Sequence, residues 1–174
     1  MGAVSRDKAM AMDELLKEFL TETNESLDVV DVELVRFEQD PNNAKILDNI
    51  FRLVHTIKGT SGFFGFSKLG AITHGGEHLL GQLRDDKIDL DDDVTGALLG
   101  LVDAVRSILD RIEKTGGEGD DDYQALSRRL VDVSAEALRR RESGGVVVTR
   151  LAPPPGPALA EPPAPAEVSA SEMA

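Results

Sequence analysis

Three histidines, His55, His74 and His78, carry most of the chemistry this sequence can offer, because it contains no cysteine. Without thiols there is no disulfide, no thiolate nucleophile and no zinc–thiolate site. A single histidine on a helix is most often a polar residue at a bundle edge. The surroundings of His55 point elsewhere. At 100° per residue the apolar stripe of its segment centres near Val54, and His55 lies about 100° away, at the edge of the buried face. Its same-face neighbours toward the C-terminus are Gly59 and Gly62, so the ridge beyond it has no side chains. Glycine inside a helix costs about 1 kcal/mol relative to alanine. Close approach by another protein or by a phosphate is one reason to accept that cost, and tight packing against a neighbouring helix is the other. Lys58, one turn on and about 60° around, could offer a cation to a phosphoryl group on His55, or be a solvated lysine.

A histidine that attacks phosphorus needs one neutral, exposed nitrogen. The other nitrogen should donate to a carboxylate, which fixes the tautomer and raises basicity. Glu77 is the best placed acid, at the margin of the next helix's apolar stripe, with a short turn between the two helices. A rival chemistry is spelled by His74-Gly75-Gly76-Glu77-His78, which fits the H-x-x-E-H zinc signature. Two histidines four apart on a helix can share a metal, although Gly75-Gly76 softens the turn that must hold the ligands. A third reading is a helical docking module in which the glycine ridge is only a groove.

These residues need a helical frame. Apolar or small residues at Leu16, Leu20, Thr23, Leu27, Val30, Leu34 and Phe37 alternate spacings of four and three, which predicts a bundle helix from about Asp13 to Glu38. Asp40-Pro41-Asn42-Asn43 predicts a turn. A second helix, with Leu47, Ile50, Phe51, Val54 and Ile57 inward, is expected to run to about Gly62 and to break over Gly62–Phe66. Ser67 is read as the N-cap of a third helix, with Leu69, Ile72, Leu79, Leu80 and Leu83 inward. It ends near Asp85-Asp86, before a short extended piece at 87–90. Asp91, Asp92 and Asp93 open a fourth helix, where acids favour the first turn, and its stripe runs from Leu98 to Ile112. After a glycine-rich stop at 115–119, a fifth helix is expected from about Asp121 to Arg140, packed on the bundle through Tyr123, Leu126, Leu130, Val133 and Leu138, with Arg139-Arg140-Arg141 solvated. Val146–Thr149 could form a brief strand. The expected class is all-α: an up-down antiparallel four-helix bundle with an additional fifth helix. The expected organisation is a flexible N-terminus at 1–12, the bundle at 13–142 and a Pro/Ala-rich linker or tail at 143–174. A linker that leads nowhere points to a chain cut from, or short relative to, something longer.

The 174 residues suit one domain with a tail. The net charge of −13 opposes binding to nucleic acid and to anionic membranes, and scarce aromatics remove the stacking platforms single-stranded nucleic acids need. The N-terminus lacks a signal-peptide apolar run, and no stretch is long and apolar enough to span a membrane. A cytoplasmic protein is expected.

The run His55-Thr56-Ile57-Lys58-Gly59-Thr60-Ser61-Gly62-Phe63-Phe64-Gly65-Phe66 resembles the phosphorylation segment of histidine phosphotransfer (HPt) domains, most of all the N-terminal P1 domains of CheA-type chemotaxis histidine kinases. Ile50-Phe51-Arg52-Leu53-Val54 before it fits, as do His74-x-x-Glu77-x-Leu79-Leu80 and Leu83-Arg84, so the resemblance covers roughly Asp13 to Glu113. It implies that His55 is the phospho-acceptor, that Glu77 orients its imidazole, and that Lys58 and His74 complete a polar network. The partner surface is expected at Ile57, Gly59, Ser61, Gly62 and Phe63. The implied partners are a kinase ATP-binding domain, in cis or in trans, and a CheY-like or CheB-like (methylesterase) receiver. ATP and Mg²⁺ come from those partners, so no bound cofactor or metal is expected, and the isolated domain is expected to be a monomeric carrier with no ATP site of its own. Two departures from the family pattern stand out. Gly75-Gly76 replaces helix formers, which implies a weak or a tightly packed turn. Asp86 stands where a glycine often follows the arginine, and Asp tolerates a left-handed turn well enough to end the helix there.

Overall fold

The computed structural model describes residues 3–144, so the Val146–Thr149 reading and the Pro/Ala-rich segment lie outside the described residues. Five helices follow one another: α1 (Ala3–Gln39), α2 (Ala44–Phe64), α3 (Ser67–Arg84), α4 (Asp92–Thr115) and α5 (Gln124–Glu142). Helices α1 to α4 pack cyclically, each on its two neighbours, and α5 lies across α3 and α4. The α1–α2 pair is antiparallel: a short turn joins the two helices, and Phe19, in the middle of α1, meets Phe64, the last residue of α2. The apolar stripes read from the sequence converge on one core, which includes Leu27, Ile50, Leu69, Ile72, Leu79, Leu80, Ile108 and Leu109. Among the described residues no strand forms, and no helix is long and apolar enough to cross a membrane.

The helix ends show where local reading falls short. Helix α1 begins at Ala3, ten residues before the expected start. Ala, Met and Lys there favour helix on propensity alone, and Met10 and Met12 stay exposed. Helix α2 runs through Gly62 and ends at Gly65, whose φ of 76° is left-handed. The Phe66 amide reaches the Ser61 carbonyl at 3.0 Å and the Gly65 amide reaches Gly62 at 3.3 Å, the bond pair of a Schellman stop. Phe64 and Phe66 then pack with Phe19, ring centres 5.0 to 6.0 Å apart.

Ser67 is the first residue of α3, not its cap; Phe66 holds the cap position and offers no side-chain bond. The first turn of α3 is capped from far along the chain. The Glu118 carboxylate accepts from the Leu69 amide at 2.6 Å, and Lys68 Nζ donates to the carbonyls of Gly119 and Asp121 at 2.6 and 2.9 Å. Asp86 does turn left-handed, with φ 54°. Residues 87–90 form an irregular connection that buries Ile88. Asp91 caps α4, its carboxylate accepting from the Val94 amide at 2.9 Å. Helix α5 starts at Gln124 rather than Asp121, because Asp121 pairs with Arg111 and its carbonyl takes Lys68. Its buried line is Leu130, Val133, Ser134 and Ala137, with Leu138 only partly covered. Arg140 and Arg141 do not simply stay solvated. Arg140 pairs with Asp91 and Asp93 at 3.0 and 3.2 Å, and Arg141 with Asp86 and Asp89 at 3.0 and 3.1 Å.

Candidate functional site

His55 lies in the second half of α2, on the side that faces α3. Its Nδ1 is 2.7 Å from Glu77 Oε1, on the middle of α3. The Glu77 carboxylate is only 15% exposed, whereas the His55 side chain is 59% exposed. Glu77 Oε2 is buried, and its one partner among the described residues is the Lys58 ammonium, in an ion pair. Burial pushes the Glu77 carboxyl upward, but the Lys58 ammonium and the bond to His55 outweigh it and hold the group below its ordinary value of 4.5. Glu77 is therefore an anion at neutral pH and can only accept. Nδ1 must then carry a proton and donate, and in the neutral ring this leaves the Nε2 lone pair free.

Three features fix this imidazole. Glu77 holds it by the hydrogen bond. Lys58 keeps Glu77 charged and in place. Phe51, one turn earlier on α2, lies nearly parallel to it, with 14° between the planes and 6.1 Å between ring centres. Beyond Phe51, the Arg84 guanidinium carbon sits 4.0 Å from the centre of the phenyl ring.

The two glycine pairs are opposites. A Cβ on Gly59 or Gly62 would meet nothing within 4 Å, so these residues leave open surface beside His55 and no helix packs on them. On α3 the reverse holds: a Cβ on Gly75 would lie 3.1 Å from Leu130 Cδ1, and one on Gly76 would collide with Leu101. Gly75-Gly76 is thus a tightly packed turn that lets α4 and α5 approach the helix bearing Glu77.

The sequence-derived site residues divide accordingly. The structure brings His55, Lys58 and Glu77 into one bonded cluster. His74 lies one turn before Glu77 but is exposed and makes no side-chain bond among the described residues. The expected partner surface needs correction. Ile57 is 3% exposed and Ser61 is fully buried; with Val54 they form the i, i+3, i+7 line that faces the core, and the Ser61 hydroxyl donates to the Lys58 carbonyl at 2.7 Å. Gly59, Gly62 and Phe63 are on the surface, and Phe63 is 69% exposed. The zinc reading loses its geometry. No group of three or more metal-ligating side chains comes together among the described residues, Glu77 is committed to α2, and His78 Nε2 instead meets the Gln82 amide at 2.9 Å. Gln82 in turn accepts from the Ser134 hydroxyl at 2.6 Å, which ties α3 to α5.

Sequence reasoning did not anticipate the Phe51–Arg84 pair or the His78–Gln82–Ser134 chain. The signal for the first was present: Phe51 is four residues before His55, and Arg84 is seven after Glu77, each on the face of its partner. The second depends on how α5 docks, which no local spacing reveals.

The site and the fold agree with what the chain resembles. The Hpt domain family profile matches residues 14–112, more than half of the chain, and the chain belongs to that family. It is 33% identical over 118 residues to the chemotaxis protein CheA of Treponema pallidum, covering 68% of this chain and 14% of that protein. It is also 33% identical over 107 residues to the sensor histidine kinase CheAY of Helicobacter pylori, covering 62% of this chain and 13% of that one. The match thus spans about one-seventh of the length of these relatives. Among solved structures, the phosphorylated P1 domain of CheA3 in complex with CheY6 from R. sphaeroides superposes with a TM-score of 0.65 at 26% identity, over 72% of this chain and 98% of the other. The solution structure of the histidine phosphotransfer domain of CheA does so with 0.64 at 27% identity, over 70% and 92%.

Proposed function

We propose that this chain is the phosphotransfer domain of a two-component chemotaxis kinase, with His55 Nε2 as the phospho-acceptor. The observation that carries the reading is the 2.7 Å bond from Nδ1 to an ionised, largely covered Glu77, on an imidazole that is 59% exposed. In the charging step the Nε2 lone pair attacks the γ-phosphorus of ATP held by a kinase domain, in cis or in trans. The bond to ADP breaks and an N–P bond forms. Glu77 stabilises the charge that the ring acquires, and Lys58 keeps Glu77 ionised and in place through their ion pair, instead of meeting the phosphoryl group itself. In the discharging step a carboxylate oxygen of a receiver aspartate attacks the phosphorus. The N–P bond breaks and the ring is returned neutral. Both steps are chiefly positioning and charge stabilisation, with ATP and Mg²⁺ supplied by the partner domains.

The receiver is of the CheY-like or CheB-like kind; the P1 domain of CheA3, which this fold resembles, is described in complex with CheY6. Helices α1 to α5 form the phosphotransfer unit, working in the cytoplasm, and residues 143–174 serve as a linker or tail. Gly59 and Gly62 leave the room that both partners need, with Phe63 at the margin. Incubation with a CheA-type kinase ATP-binding domain and labelled ATP tests the reading. Acid-labile, alkali-stable label on wild type and none on His55→Gln is the expected result. Label on neither protein overturns it in favour of a docking module.

A further inference from the structure

We propose that Arg84 is a docking residue that engages carboxylates of the partner receiving the phosphoryl group, and that Phe51 holds it ready. The inference rests on the phosphotransfer reading and adds a specificity-determining residue to it. Arg84 lies two helical turns beyond Glu77, and Phe51 one turn before His55, so the two meet across the α2–α3 seam on the reactive side. The guanidinium lies over the Phe51 ring at 4.0 Å. That contact is a cation–π pair, and it immobilises a side chain that is otherwise rich in rotamers.

The charge of Arg84 is held but not consumed. Its single ion-pair contact among the described residues is with Asp85, at 3.9 Å, the outer limit for such a pair. Asp85 has a closer partner in Lys87, at 2.9 Å. Arg84 is 41% exposed, so the edge of its guanidinium is open to an incoming acid. In a chain of net charge −13, an arginine fixed on the far side of Phe51 from the His55 ring is a local exception to the general repulsion of anions. The partner must bring an acceptor carboxylate to His55, and the acids that hold its Mg²⁺ come with it. An arginine immobilised before contact loses little entropy on pairing with such a surface, and charges of this kind set encounter rate and register more than chemistry. Lys58 differs, because its ammonium is already taken by Glu77.

The test uses the full chain phosphorylated on His55 and a CheY-type receiver that draws label from wild type. Transfer is followed by rapid mixing over a range of receiver concentrations and salt. For Arg84→Ala the half-saturating receiver concentration should rise about five- to tenfold. The limiting transfer rate should be unchanged and the salt dependence flatter. Arg84→Lys should fall between, since an ammonium does not stack as a flat guanidinium does. Circular dichroism should show unaltered helix content, and charging by the kinase should proceed normally. An unchanged half-saturating concentration, or a loss confined to the limiting rate, overturns the proposal and leaves the phosphotransfer reading standing. Absence of label on wild-type His55 removes both.

Discussion

At the scale of single residues the site is a division of labour around one carboxylate. Glu77 is anionic because Lys58 and His55 outweigh its burial. Glu77→Ala should slow phosphorylation of His55 by about ten- to a hundredfold, the range seen when a carboxylate behind a functional histidine is lost, with the bundle still folded by circular dichroism. Lys58→Ala should slow the same reaction less, because the Nδ1 bond survives. If both variants charge at the wild-type rate, the roles given to them are wrong. The lowered carboxyl also sets a pH dependence. A depressed acid stabilises the fold above its ordinary value of 4.5 and stops doing so as pH falls through the lower, folded-state value. The melting temperature of wild type should therefore exceed that of Glu77→Gln at pH 7, and the gap should close below pH 4.5. His55, Lys58 and Glu77 were legible in the sequence because they obey helical spacing and chemical need. Ile57 and Ser61 were misplaced because a motif lists both faces of a helix without separating them.

At the scale of elements the glycines give opposite predictions. Gly59→Ala and Gly62→Ala meet no neighbour, so each should stabilise the isolated domain by up to about 1 kcal/mol through helix propensity. Each should also slow transfer to a receiver, because a methyl group now stands on the approach surface. Thermal melts and transfer rates on the same proteins check both halves. Gly76→Ala collides with the buried Leu101 and should cost about 1–3 kcal/mol, the usual penalty of overpacking. The sequence left open whether Gly59 and Gly62 were packed or bare, and whether Gly75-Gly76 was weak or packed. Only the positions of neighbouring helices could decide. The same limit explains Ser67. Its type and position suited a cap, but the Leu69 amide in the first turn of α3 is capped by Glu118, 49 residues further on. The apolar stripes of α1 to α4, by contrast, were legible, since each needs only its own period.

At the scale of the whole molecule, α5 acts as a buttress for the helix that carries Glu77. It packs Leu130 on Gly75, bonds Ser134 to Gln82, and pairs Arg140 and Arg141 with four acids around the α3–α4 connection. Ser134→Ala leaves the Gln82 carbonyl without its partner and should cost about 1–2 kcal/mol, read as a lower denaturant midpoint. The arginine pairs are half-exposed, and each is worth about 1 kcal/mol or less. Arg140→Ala with Arg141→Ala should therefore lower stability modestly in dilute buffer, and the loss should shrink in 1 M salt, where such pairs are screened. The architecture itself, five helices and no strand among the described residues, followed from hydrophobic period and turn residues alone. The docking of α5 was expected but not its register, because its buried line includes Ser134 and Ala137, which no hydrophobic pattern would select.

The openness around His55 has a consequence in time. Among the described residues nothing covers this ring, which is more than half exposed beside a bare glycine ridge, so on the proposed reading water would reach a phosphoryl group there as a protein would. On that reading the charged form should persist only until the first productive collision or spontaneous hydrolysis, whichever comes sooner. The output of such a carrier is governed by the abundance of its takers, and depleting them should waste the charge rather than store it.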